Sequence, residues 1–296
     1  MVVDLIIFPS SYFSKNQVDE DLQAEYKGAL DTGLFDIIIF GYESWFVNHR
    51  LILTSEPVDL RRAIYRGWMM KPDEYENFYN MLLNHNIQLI TTPAEYDMLH
   101  IFPNVYKYFG NDTAKMKTYS FHDRINVNEL KTEFSRFMVK DFVKSVKGTD
   151  FTKYFDSGIK QEAFDKWMEV FYQYRGKLLT GGICIKEYLP LKHYGGKTNE
   201  YRVFYVNHQI ATVSRNSAQP MYAPEVPREL IEKYNDLPSN YYTVDYAELE
   251  DNTWKVIEAG DGSVSGLSEG QSPEHYYRAL YHCINCPLCQ GHFELV

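Results

Sequence analysis

Two acids on either side of a tight turn carry the most chemistry in this sequence. Asp245 lies in the run Tyr241-Tyr242-Thr243-Val244-Asp245-Tyr246-Ala247-Glu248-Leu249, and Glu258 in Trp254-Lys255-Val256-Ile257-Glu258-Ala259-Gly260. Between them stand Glu250-Asp251-Asn252-Thr253. Asp251 and Asn252 tolerate positive φ, so they suit a two-residue hairpin turn flanked by Glu250 and Thr253. In that register Asp245 sits directly opposite Glu258, on one face of the sheet. Like charges directly opposite destabilise a strand pair, and more so when partly buried. A bound divalent cation removes that penalty, and hard carboxylate oxygens suit Mg²⁺ shared with nucleotide phosphates. The competing reading is a solvated surface hairpin with two scattered acids. The apolar neighbours Val244, Trp254, Val256 and Ile257 favour the metal. In the following Gly260-Asp261-Gly262-Ser263-Val264-Ser265-Gly266, Asp261 is a third candidate oxygen ligand or water-orienting group; an ordinary surface loop is the alternative.

Cations form the second group. Lys140 ends the apolar run Phe137-Met138-Val139-Lys140, placed to neutralise a phosphate. Residues 144–148, beginning with Lys144, form a segment that could close over the same group with backbone N–H donors. Arg202 lies mid-strand in Glu200-Tyr201-Arg202-Val203-Phe204, where a guanidinium needs a partner. Arg215 ends the next strand, beyond the turn at Asn207-His208. Both could point into one cleft and stabilise charge developing in acyl or phosphoryl transfer.

The elements that must position these groups fall into two patterns. Up to about residue 110, strand-like runs (2–8, 35–40, 51–54, 87–91) alternate with helical stretches (16–30, 73–86, and 94–108 broken near Pro103). Uninterrupted apolar strands separated by helices predict a parallel sheet covered on both faces. Residues 2–8 read as a buried strand rather than a signal peptide. The polar stretch 110–118 marks a boundary, giving domains of 1–115 and 116–296. Beyond it come a strand at 137–140, a helix at 161–174 ended by Gly176, and strands at 183–188, 201–206, 209–214, 241–249 and 254–258. Short polar turns join several of these, so this half is antiparallel sheet plus helices.

Taken in order, these elements resemble the ATP-grasp superfamily over about residues 118–270. The carriers are Phe137-Met138-Val139-Lys140 with its downstream loop, Ile185-Lys186-Glu187-Tyr188-Leu189, Glu200 through Arg215, and Val244-Asp245 with Val256-Ile257-Glu258. Ile64-Tyr65-Arg66-Gly67-Trp68 looks like the preceding-domain motif of a divergent bacterial and phage clade, more distantly similar to ribosomal-protein glutamate ligases and D-alanine–D-alanine ligases. The fold implied is α+β / α/β: two α+β lobes gripping ATP, behind a small parallel-sheet α/β domain. The resemblance implies that Lys140 and Lys186 meet the phosphates, Glu187 takes the ribose hydroxyls, and the backbone of Tyr188 and Leu189 lies along adenine. Arg202 and Arg215 would reach the transferred phosphoryl and the acyl substrate. Asp245 and Glu258 would hold Mg²⁺, with Mn²⁺ as a substitute, and Arg66 would face the substrate. Two positions depart from the family pattern: Gly260 stands where better-studied members carry Asn, and Thr243 where some ligases carry Arg. The activity implied is ATP-dependent joining of a carboxylate to an amine of an amino acid, peptide or protein tail. A non-catalytic ATP-binding module and a phosphotransferase share the architecture.

Composition agrees with a soluble folded chain. Of 296 residues, 45% are hydrophobic and 24% charged, with 25 Tyr and 18 Phe to wall a core and a cleft. Thirty basic against 40 acidic residues leave −10, the wrong sign for a general nucleic-acid binder. No apolar run approaches the ~20 residues of a membrane span. Four Cys do not make a disulfide framework, so a reducing cytoplasm is the expected compartment. Cys283, Cys286, Cys289 and His292 have a spacing that could bind zinc, but the close spacing suits buried cysteines near a C-terminal helix better. Gly195-Gly196-Lys197-Thr198 imitates the end of a phosphate loop, yet Leu191 replaces its first glycine. Residues 262–266 imitate a serine-hydrolase elbow with Val264 at the nucleophile position.

Overall fold

The computed structural model describes residues 2–121, 123–144 and 150–286. Strands β1 (Val3–Pro9), β2 (Asp36–Phe40), β3 (Arg61–Tyr65) and β4 (Ile87–Leu89) form a parallel sheet in the order β2-β1-β3-β4. Central β1 is apolar on both sides because both are covered. Val3, Ile6 and Phe8 join one core, and Leu5 and Ile7 another. The helices here are α1 (Gln23–Thr32), α2 (Tyr42–Phe46), α3 (Pro72–Asn84), α4 (Pro93–His100) and α5 (Phe102–Tyr106). Pro72, Asp73 and Glu74 start α3 as their preferences dictate. Ile101, with extended backbone, separates α4 from α5 ahead of Pro103. The run 51–54 is not a strand; Leu53 makes only an isolated bridge to Phe40. The strand that replaces it, β3, is masked in the sequence by Arg61 and Arg62, and Arg61 pairs with Asp4 and Asp36 at the sheet end.

A second sheet follows: β5 (Met116–Tyr119), β6 (Arg136–Asp141), β7 (Tyr154–Asp156) and β8 (Ile183–Glu187), antiparallel in the order β5-β8-β6-β7. Phe137, Val139, Ile183 and Ile185 point to one face. There they pack on α6 (Val127–Glu133) and α7 (Gln161–Arg175) through Leu130, Phe164 and Phe171. Gly176, at φ +46°, ends α7 as expected. Alternation leaves Met138, Lys140, Cys184 and Lys186 together on the other face.

The third sheet is preceded by a small hairpin of β9 (His193–Tyr194) and β10 (Lys197–Thr198). That hairpin holds the Gly195-Gly196 pair, so no phosphate loop forms there. The sheet itself is β11 (Glu200–Val206), β12 (Gln209–Arg215), β13 (Tyr241–Glu248) and β14 (Trp254–Asp261), antiparallel in the order β12-β11-β13-β14. One face buries Val203, Tyr205, Tyr242 and Val244 against α4, α5 and α8 (Arg228–Glu232). The tyrosine content is used here. Tyr205 and Tyr242 stack at 4.9 Å, and the Tyr205 hydroxyl meets Tyr246 at 2.6 Å and donates to the Ile231 carbonyl at 2.8 Å. On the other face Phe204, Val206 and Tyr241 pack with α9 (Pro273–Asn285), β1 and Ala29 of α1. Gly28 lets α9 approach α1, since a Cβ there would stand 2.5 Å from Pro273. No helix of the described residues is long and apolar enough to cross a membrane.

Candidate active site

Asp245 and Glu258 face each other across β13 and β14, in the register read from the sequence. The turn reaches that register by a different route. Leu249 and Thr253 close a three-residue loop, with Asn252 at φ +68°, rather than a two-residue turn. Continued regularly, that loop would set Asp245 opposite Ile257 and turn Glu258 to the far face. Ile257 instead bulges out of the ladder and restores the pairing. Asp245 is buried and forms a two-pronged pair with Arg202, its neighbour across β11 (Nε–Oδ1 2.8 Å, Nη2–Oδ2 2.6 Å). Glu258 is half-buried and meets Lys140 of the second sheet at 3.1 Å. The two like charges thus coexist because each faces a cation.

The second sheet turns Lys140 and Lys186 toward the third. Lys186 Nζ donates to the Ile257 carbonyl at 2.5 Å, so the bulge that aligns Glu258 also offers an acceptor. Burial, and then Lys140, lower the Lys186 ammonium to about 7, against the pull of Glu258. Burial alone would raise the Glu258 carboxyl, but Lys140, Lys144 and Lys186 bring it down to about 2. It is therefore ionised throughout the physiological range. Lys144 is carried on a turn that sequence reasoning missed. The buried Asp141 Oδ1 accepts the N–H groups of Val143 and Lys144 at 2.8 and 2.6 Å, and its Oδ2 binds Arg175 at 2.7 Å. An Asp followed at two and three residues by free N–H groups is a recognisable turn signal. Lys144, Arg202, Asp245, Glu258, Asp261 and His100 line one cleft. Residues 145–148 of the expected closing segment lie outside the described residues.

Cations thus face a carboxylate pair across two sheets. A family model described as an ATP-grasp domain, the third family of its clade, matches residues 124–280. The chain belongs to the ATP-grasp superfamily. Solved structures agree on the fold. D-cycloserine synthetase DcsG is 12% identical, with a TM-score of 0.59 over 95% of this chain and 99% of that one. The D-alanine-D-alanine ligase of Coxiella burnetii is 9% identical, with a TM-score of 0.61 over 95% and 94%. ATP-grasp ligase PsnB, solved with minimal precursor, Mg and ADP, is 10% identical, with a TM-score of 0.52 over 94% and 98%. No curated protein matches the sequence.

Several residues expected in the ATP-grasp cleft stand elsewhere. Arg215 does not join Arg202. It lies opposite Tyr201, over whose ring it stacks at 5.3 Å, and it donates to the carbonyls of Met221 and Ala223. A bulge at Ala211 turns it to the other face; in the regular register after Asn207-His208 it would share Arg202's face. Arg66 is fully buried, held two-pronged by Glu25 at 2.8 Å and donating to Tyr241 and the Gly262 carbonyl, so it does not face a substrate. Asp261 borders the same cleft as Glu258, but it pairs with Tyr242 and its buried side chain lies on the other face of β14. Among the described residues no three His, Cys, Asp or Glu side chains gather as a metal-ligand set. Glu187 ends β8, where it accepts the Lys115 N–H at 3.2 Å. Tyr188 lies under the Arg136 guanidinium at 4.3 Å, and its N–H donates to the Arg136 carbonyl; Leu189 follows, half-buried. Cys283 packs in the α9 core, where burial pushes its thiol up to about 11. Cys286 caps the helix, and Cys289 and His292 lie outside the described residues.

The position of Asp261 has a measurable consequence. Burial raises its carboxyl to about 7, although the Ser263 N–H holds it down, and its Oδ2 has no hydrogen-bond partner among the described residues. The native state therefore keeps a proton that the unfolded chain releases near pH 4, and stability falls between about pH 4 and 7. Asp261→Asn should raise the thermal midpoint by a few degrees at pH 8 and change it little at pH 4, which melting curves across this range would check.

Proposed function

We propose that this ATP-grasp protein is a ligase that uses ATP and Mg²⁺ to activate a carboxylate as an acyl phosphate and pass it to an amine, releasing ADP and phosphate. The observation that carries this reading is the facing pair Asp245–Glu258, set by a bulge and opposed by Lys140 and Lys186. Mg²⁺ uses one or two carboxylates and completes its shell with water and substrate phosphates, so a two-carboxylate donor set fits it, and Mn²⁺ takes the same ligands. When bound, the ion would offset the charge on the phosphates and hold them for in-line transfer. Lys140, Lys144 and Lys186 would take phosphate oxygens. Arg202 would fix the Asp245 carboxylate and offer its guanidinium to the reacting carboxylate. Glu187, Tyr188 and Leu189, at the end of β8, fit the ribose and adenine end.

In the first step the terminal phosphoryl leaves its bridging oxygen for the substrate carboxylate. In the second an amine attacks the acyl carbon, the bond to phosphate breaks, and the amine's proton passes to solvent. These steps need positioning and charge rather than a side-chain nucleophile. The substrates are amino-acid, peptide or protein carboxylates and amines, the compartment the cytoplasm, and residue 115 the boundary before the nucleotide-binding half. Incubation with Mg-ATP, hydroxylamine and a panel of acids and peptides should yield ADP and a hydroxamate. Tight Mg-ATP binding with no ADP across the panel would instead favour an ATP-binding module, for which Gly260 in the Asn position is the supporting feature. Phosphate retained on a hydroxyl acceptor would mark a phosphotransferase.

A further inference from the structure

We propose that Phe102 is a positioning residue for the phosphate-facing lysines, acting through the face of its ring. The inference rests on the reading that Lys140 and Lys186 meet the nucleotide. Phe102 opens α5, outside the segment matched to the ATP-grasp domain, yet it reaches both lysines. Its ring centroid lies 4.4 Å from Lys186 Nζ and 5.4 Å from Lys140 Nζ. The ring is buried, inclined to Tyr106 at 6.1 Å and stacked on Phe109 at 6.2 Å, so its orientation is fixed. Its N–H donates to the Phe142 carbonyl at 3.0 Å, which ties α5 to the segment just past β6 that leads to Lys144.

The energetic problem it addresses is local. Two buried ammonium groups lie within 5.4 Å of this one ring; Glu258 meets one of them, and a backbone carbonyl meets the other. Like charges so close repel, and desolvation adds to the cost. A second carboxylate would neutralise Lys186 but would then compete with phosphate oxygens for it. An aromatic face supplies negative potential without a formal charge, and its attraction grows in a desolvated site. It can therefore hold both ammonium groups in place without competing for them.

The test compares ATP with adenosine, which has no phosphates, by calorimetry in the presence of Mg²⁺. Phe102→Leu keeps apolar bulk but lacks the π face. It should weaken ATP about tenfold and leave adenosine unchanged. Replacing Phe102 with mono-, di- and trifluorophenylalanine keeps the ring's shape while draining its face, and should weaken ATP in graded steps. Lys186→Met and Lys140→Met serve as references. If they weaken ATP while the leucine and fluorinated variants do not, the inference fails and the reading of the lysines stands. Equal weakening of ATP and adenosine by Phe102→Leu, with no gradient across the fluorinated series, would reduce Phe102 to a packing residue. If neither lysine substitution alters ATP affinity, the reading of the lysines fails, and the inference with it.

Discussion

Asp245→Asn should reduce ATP turnover by about 10³-fold or more, read as ADP release in the presence of hydroxylamine and an acid that the wild type accepts. Asn keeps the shape of the side chain and removes the charge. Charge stabilisation by a bound metal is worth several kcal/mol to a phosphoryl transfer, and each 1.4 kcal/mol is about tenfold in rate. The substitution acts twice, because Arg202 then loses the carboxylate that holds it at 2.6–2.8 Å. Glu258→Gln should be similarly costly through the facing position on β14, and it also removes the ion pair with Lys140. Both variants should keep the wild-type thermal midpoint within a few degrees. Retained turnover in a folded Asp245→Asn would mean that this acid is structural.

Arg66→Met should have the largest effect on stability, about 3–5 kcal/mol, because it leaves Glu25 buried without its partner. For a chain of this size that corresponds to a fall of roughly 6–10 °C in the thermal midpoint. The guanidinium sits among Glu25, Tyr241 and the rings of Phe204 and Tyr276, where β3, α1, β13 and α9 meet. Replacing Glu25 with Met as well should recover much of the loss, since no uncompensated charge then remains. Affinity for Mg-ATP in the folded protein should not change. A raised KM for the acyl substrate at an unchanged midpoint would return Arg66 to the substrate site.

The contrast between Asp245 and Arg215 shows what the sequence can and cannot reveal. The apolar strands, the start of α3 and the glycine stop of α7 follow from local preferences, whereas the run 51–54 forms no strand and the helix expected from residue 16 begins at Gln23. Which face a side chain takes depends on register, and one unpaired residue reverses it. The turn after Leu249 differs from the two-residue form, but the bulge at Ile257 compensates, so the carboxylate pair is where the simple register placed it. The bulge at Ala211 has no such compensation and carries Arg215 out of the cleft. Neither Ile257 nor Ala211 is a residue whose type announces a bulge. Arg66 stands in a different setting from the expected one for another reason. Its partners Glu25 and Tyr241 come together only when the parallel sheet docks on the third sheet, and a polar residue in a motif does not disclose that it will be enclosed. Phe102 and Asp141 were missed because they act through lysines rather than on the nucleotide.

The facing carboxylates are tested most directly by calorimetric titration of a non-hydrolysable ATP analogue, with Mg²⁺ and with EDTA, into the wild type and the Asp245→Asn/Glu258→Gln double variant. The wild type should bind the analogue at least about 100-fold more tightly with Mg²⁺ than without it, and the double variant should bind at the metal-free level under both conditions. Equal affinity in the two proteins with Mg²⁺ present would contradict a magnesium site at Asp245 and Glu258.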